Sequence, residues 1–145
     1  MIILFITQKI RIYPNKTTIN LFNRYFGYSR YCFNKGLSTW KTMYELNEKP
    51  NGRKVRDNLK SNKEEWEKEL SPQILDTSIE DLDKAFKMFF KHLSKYPKLK
   101  SRKKSKDTFR IYRKDLENRA IYIPSSMKVI VHNSDPGQIL EFVKE

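Results

Sequence analysis

Hydrophobic and polar positions change period twice along the chain. From Ile6 to Tyr13 they alternate: Ile6, Gln8, Ile10 and Ile12 share one face, and Lys9, Arg11 and Tyr13 the other. A period of two marks a half-exposed β-strand. The apolar opening Met1-Ile2-Ile3-Leu4-Phe5 extends it, and Pro14-Asn15 ends it. Spacing then turns helical. Phe22, Phe26, Phe33, Leu37, Trp40 and Tyr44 recur every three or four residues, with Ser29 as the one small member. A second stripe of Leu21, Tyr25, Tyr28, Cys32 and Met43 runs beside it. So wide an apolar face predicts a helix well buried in a bundle, with Thr17 or Thr18 as its N-cap. Arg24, Arg30 and Lys35 fall outside both stripes and are placed to reach phosphates.

Residues 47–51, with Pro50 and Gly52 beside them, read as a loop. Arg53 to Leu70 is charged, with a thin apolar stripe of Val55, Leu59, Trp66 and Leu70. It predicts a helix broken near Ser61-Asn62. Ser71-Pro72 is a helix start, a hydroxyl cap followed by proline at the first helical position. Leu75, Ile79, Leu82, Phe86, Phe89, Phe90 and Leu93 follow at helical spacing. Asp76, Glu80, Asp81 and Asp83 come early and Lys84, Lys87 and Lys91 late, an order that complements the helix dipole.

Period two returns after residue 106. Phe109–Arg113, Ala120–Pro124 and Lys128–His132 read as strands. Residues 115–119 and 135–137 read as turns, and Ile139–Val143 as a last strand or helical turn. Strands at both ends with helices between predict an α+β fold. Its small antiparallel β-barrel or sheet is built from N- and C-terminal strands around an inserted bundle of three or more helices. Residues 1–14 and 107–145 form the β part, 15–94 the bundle and 95–106 a connecting segment.

That connecting segment changes the picture. Lys95, Lys98, Lys100, Arg102, Lys103, Lys104 and Lys106 lie in twelve residues that contain no acid. So dense a run disfavours regular structure without a counter-anion. The whole chain carries 30 Lys+Arg against 17 Asp+Glu, a formal +13. A polyanion is the expected partner, nucleic acid before an anionic membrane surface. Aromatic residues at 13% of 145 argue for a packed core rather than disorder. One cysteine, Cys32, excludes an internal disulfide and a cysteine-based zinc cluster. No segment is long enough to span a bilayer, and an intracellular protein is expected.

Catalytic signals are weak. Metal-dependent nucleases need clustered carboxylates, and Glu64–Glu69 and Glu80–Asp83 read instead as solvated helix faces. With 4 glycines there is no phosphate-cradling loop, and His92 and His132 lack ligand spacing. No metal or other cofactor is expected. Arg110 and Arg113, interleaved with Phe109 and Tyr112, suit phosphate clamping with base stacking. Sheet packing is the equally good reading of the two rings.

The run Leu75-Asp-Thr-Ser-Ile-Glu-Asp-Leu-Asp-Lys-Ala-Phe-Lys-Met-Phe-Phe90, then Tyr96-Pro-Lys-Leu-Lys-Ser-Arg-Lys-Lys104, then Asp107-Thr-Phe-Arg110, resembles the N-terminal region of the TnpB (OrfB) family. These are transposon-encoded RNA-guided DNA nucleases related to type V CRISPR effectors. Lys9-Ile-Arg-Ile-Tyr-Pro14, Tyr31-Cys-Phe-Asn-Lys35 and Ala120-Ile-Tyr-Ile-Pro124 agree in order, so the resemblance covers about residues 8 to 132. It implies a wedge-type β-barrel interrupted by a helical recognition domain. It also implies a grip on guide RNA and the guide–target duplex, and a reader of a short motif beside the target. By position the reading surface falls on Gln73, Asp76, Thr77, Ile111 and Tyr112. Gln73 and Thr77 can address base edges. Asp76 stands where an uncharged amide is expected in the family, which changes or removes motif reading.

The family's nuclease domain, with its catalytic acids and zinc-binding cysteines, follows this region, and nothing before Glu145 stands in for it. The closing Ile139–Glu145 does not resemble the family's continuation, which favours a natural short protein over a fragment. The expectation is therefore a non-enzymatic module that binds RNA, DNA or their hybrid. Its origin would be prokaryotic, viral or a mobile element. The rival expectation is an inhibitor or regulator that mimics this domain and acts on a nuclease or its guide RNA. The residues expected to meet nucleic acid are Lys9, Arg11, Arg53, Lys54, Gln73, Asp76, Thr77, Lys95, Lys98, Lys100, Arg102, Lys103, Lys104, Lys106, Arg110, Tyr112 and Arg113. Nothing in the sequence fixes the oligomeric state.

Overall fold

The computed structural model describes residues 6–103, 106–112, 127–134 and 137–144. Its elements are β1 (Ile6–Ile12), α1 (Lys16–Glu45), α2 (Gly52–Ser61), a 3₁₀ turn (Glu65–Glu69), α3 (Pro72–Phe90), β2 (Thr108–Tyr112), β3 (Met127–Asn133) and β4 (Gln138–Lys144). The α+β order follows the change of period. The expected strand at 120–124, the turn at 115–119 and the apolar opening 1–5 lie outside the described residues, as do 135 and 136 of the second turn.

α1 runs 30 residues without a break, about 45 Å at 1.5 Å per residue. Its cap is Asn15, not Thr17 or Thr18. The Asn15 side chain accepts from the Thr18 backbone N–H at 2.9 Å, so the amide one turn before the stripes does the capping. Ten residues of α1 are buried, among them Phe22, Phe26, Tyr28, Cys32 and Trp40. Tyr44, the last member of its stripe, is exposed. The predicted break after α2 is present, and Asn62 is its C-cap. Ser71 caps α3 with Pro72 at the first position. Phe90 closes α3, so Leu93 lies beyond the helix and is exposed.

α1 and α3 run parallel. Ser29 meets Ser78, and further along Trp40 stacks on Phe86 with centroids 4.0 Å apart. The helices approach closely at Gly36, where a Cβ would meet Ile79 Cδ1 at 2.6 Å. α2 and the 3₁₀ turn form the return path, which the Lys60–Asp76 and Arg24–Glu69 ion pairs tie to its neighbours. Glu67 corrects the reading of Glu64–Glu69 as a solvated face. It is 2% exposed and accepts from the Tyr28 hydroxyl at 3.3 Å and from the Glu64 backbone N–H at 2.8 Å.

The sheet is antiparallel in the order β1-β4-β3-β2. The N-terminal strand does join the C-terminal ones, and residues 139–143 are strand. Among the described residues the sheet is open, with β1 and β2 at its edges, so it is not a closed barrel. Register puts Phe109, Val131, Leu140 and Ile10 in one row, and Lys9, Glu141, Ile130 and Arg110 in a row on the opposite face. Phe109 packs against Phe22, Tyr25 and Phe26 at 5.1–5.6 Å. Bundle and sheet thus share one core.

Candidate nucleic-acid interface

After α3 the chain doubles back along α1 as an extended strap, residues 91–107. Among its described residues it has no helix or strand, in keeping with its charge density. Several contacts hold it to one flank of the bundle. Tyr96 sets its ring edge-on to Phe86 and Phe89, with the Lys41 ammonium 5.5 Å from its centroid. Asn34 forms a two-way clamp on Lys100: its Nδ2 donates to the Lys100 carbonyl at 2.8 Å, and its Oδ1 accepts from the Lys100 N–H at 2.7 Å. Arg30 pairs with Asp107 where the strap enters β2. Lys41, Asn34 and Arg30 lie two turns and then one turn apart on α1, so the strap runs antiparallel to it.

The electrostatics of strap and bundle differ. Several bundle cations are paired: Arg24 with Glu69, Lys60 with Asp76, Lys68 with Glu65, and Lys87 with Asp83. Lys95, Lys98, Arg102, Lys103 and Lys106 are exposed, and none forms an ion pair among the described residues. Lys100 is half-buried, with its ammonium 4.3 Å over the Phe33 ring. Such a row of unneutralised charge at fixed spacing condenses anions and exchanges them for phosphates.

The expected binding residues divide into groups. Lys9 and Lys106 line one shallow pocket of about 330 Å³ with His132 and Ser134, so the end of the strap meets the outer face of β1. Arg11 is exposed nearby, and its guanidinium donates to Ser134 Oγ at 2.9 Å. Arg53 is exposed at the start of α2. Lys54 donates to the carbonyls of Glu48 and Lys49 and closes the α1–α2 turn instead.

The expected motif-reading surface is a structural joint. Thr77 is buried, and its hydroxyl donates to the Ile74 and Arg110 carbonyls. Ile111 is buried in the core. Arg110 has a side chain only 17% exposed and donates to the Thr77 carbonyl at 3.0 Å, with Asp81 at 2.8 Å and Glu80 at 3.4 Å. These groups dock β2 on α3, which leaves neither the Thr77 hydroxyl nor the Arg110 charge for a base or phosphate. Asp76 holds Lys60 at 2.9 Å, and Gln73 is half-buried beside the Ser71 cap. Phe109 is core, which decides its reading in favour of packing. Lys104, Arg113 and the Tyr112 side chain lie outside the described residues.

Arg30, placed by the sequence to reach phosphates, pairs with Asp107 instead, and Asn34, which also positions the strap, was not among the residues expected to form the site. An amide inside a helix, at the edge of its aromatic face, is the signal for Asn34, since asparagine is a poor helix-interior residue without an outside partner.

A long helix, a turn at residues 46–51 and a short basic second helix lie beside the strap. Residues 1–49 match the family model of the OrfB/IS605 helix-turn-helix domain. The N-terminal third therefore carries an OrfB/TnpB-type domain and is related to transposase-associated proteins. The matched stretch holds β1 and α1, and α2 follows directly. No curated protein matches the chain. Among the described residues no helix is long and apolar enough to cross a membrane. Among the same residues, no group of three or more His, Cys, Asp or Glu could hold a metal ion.

Proposed function

We propose that this chain is a non-catalytic nucleic-acid-binding module, similar in role to the N-terminal part of a TnpB-type RNA-guided nuclease. Its ligand is guide RNA, target DNA or their hybrid, laid along the strap. The observation that carries this is the set of exposed cations Lys95, Lys98, Arg102, Lys103 and Lys106, without an ion pair among the described residues, on a strap anchored by Asn34 and Arg30. The helix-turn-helix match supports the ligand class.

The test is a salt series of fluorescence-anisotropy titrations with an RNA hairpin, a DNA duplex and a hybrid duplex. Log affinity should fall with log salt by about 0.9 per phosphate neutralised on duplex DNA. Replacing Lys98, Arg102, Lys103 and Lys106 with Ala should weaken binding about a hundredfold and flatten that slope by about 3 units. These four side chains are exposed, so the fold should survive. Unchanged affinity in the variant, or salt-independent binding, would reject the strap as the interface. Labelled RNA and DNA incubated with Mg²⁺ should stay intact, and cleavage would overturn the non-catalytic reading.

A further inference from the structure

The far end of the bundle, away from the sheet, carries an apolar groove that the strap reading leaves unused. α1 and α3 are parallel, so both end here. Each closes with the same backbone arrangement. Asn47 and His92 take left-handed φ of 59° and 61°, while Glu48 N–H reaches the Met43 carbonyl and Leu93 N–H the Met88 carbonyl. Trp40 and Phe86, buried and stacked, form the floor of the groove. Tyr44, Phe89, Phe90 and Tyr96 form its walls around about 450 Å³. That volume falls in the range of small-molecule clefts, roughly 300–1,000 Å³. Tyr44 is 73% exposed and Phe90 62%. A contiguous patch of exposed rings marks an interaction or ligand surface more often than isolated exposed residues do.

Three occupants compete on physical grounds. A second copy of the chain would bring another +13 against this end, which opposes self-association. An acidic protein would need basic contacts inside the groove, and Glu45 lines it beside Lys41. A nucleobase needs flat apolar faces with cations at the rim. Here Lys41 lines the groove, and exposed Lys91 and Lys95 adjoin its walls in sequence. Both helices also end at this groove on their carbonyls, which repels phosphate from the floor. The floor therefore suits the uncharged base and the rim its backbone. The geometry points to a base-stacking site: this groove takes unpaired nucleobases of a single strand whose phosphates lie on Lys41, Lys91 and Lys95. The inference rests on the nucleic-acid reading above and adds a second contact, for unpaired rather than duplex nucleic acid.

The experiment compares a ten-nucleotide single strand, the same strand with abasic sugars, and a duplex of equal length. Each is titrated into the full chain and into Tyr44→Ala/Phe90→Ala. Stacking on an aromatic ring contributes about 1–3 kcal/mol per base, so the variant should bind the single strand at least tenfold more weakly. Duplex affinity should not change, and the abasic strand should bind wild type and variant alike. Phe90→Trp, which keeps a stacking ring, should retain single-strand affinity. Equal single-strand affinity in wild type and the alanine variant overturns the base site and leaves the strap reading standing. A parallel loss on duplex overturns it as well, since that is a general charge or folding effect. No binding of any strand at low salt removes both readings. Two further results also overturn it: binding to phosphatidylserine vesicles that needs Phe90 while single strands do not, and a dimer in sedimentation that Phe90→Ala abolishes.

Discussion

Two groups on the inner face of α1 show how residue chemistry follows from placement. Cys32 is fully buried. Burial pushes its thiol up to about 12; the hydrogen bond from Tyr28 works the other way, and the nearby Glu67 charge adds to the rise. The Tyr28 hydroxyl is likewise raised above its usual range, by burial first and then by Cys32 and Glu67. A thiolate is the reactive form, so below pH 9 this thiol is both protonated and shielded. Ellman's reagent should titrate no thiol in the native protein at pH 8 and one per chain in denaturant. Prompt reaction of the native protein would show that the helix face opens. The aromatic spacing made Cys32 legible as core. Glu67 was not legible. Its neighbours Glu64, Glu65 and Glu69 are exposed, and only the tertiary approach of Tyr28 sets one acid of the four apart.

At the scale of elements, the strong helical and alternating periods placed β1, the helices and the return to strands correctly. Ends were harder. The chain closes α1 and α3 with Asn47 and His92 in left-handed conformations, where a glycine would have announced the stop. Thr77 and Arg110 show the other limit. Both have side chains that suit nucleic acid, yet the α3–β2 contact consumes them, and no one-dimensional pattern reveals a joint between elements distant in sequence. The strap depends on such a joint in the opposite sense, since Asn34 fixes its course through two hydrogen bonds. Asn34→Ala should leave the far-UV circular dichroism spectrum intact, cost about 1–2 kcal/mol of stability, and let trypsin cut at Arg102 or Lys103 about tenfold faster. An unchanged cleavage rate would mean that Tyr96 and Arg30 hold the strap without it.

For the whole molecule, charge is the governing quantity and was the most legible one. A formal +13 on 145 residues raises the energy of the compact state through self-repulsion. Added salt shortens the Debye length to about 8 Å at 0.15 M and relieves that repulsion. The thermal midpoint should therefore rise by several degrees between 20 and 300 mM NaCl. A falling midpoint would show that the ion pairs of the bundle outweigh the unpaired strap. Composition disclosed the sign and size of the field. Its concentration on one flank of α1 came from the fold, which pairs Arg24, Lys60, Lys68 and Lys87 with acids and lays the acid-free strap along that flank.

The order β1-β4-β3-β2 has a consequence for synthesis. β1 is made first, and its only sheet partner among the described residues is β4, which begins at Gln138. At roughly 5–20 residues per second, about 6 to 25 s separate the two. The helices can begin to pack in that interval, though their shared core is completed only by the later strands, while β1 waits as an unpaired edge open to foreign strands. Lys9 and Arg11 put charge on that strand, which disfavours pairing with foreign strands until the last strand arrives.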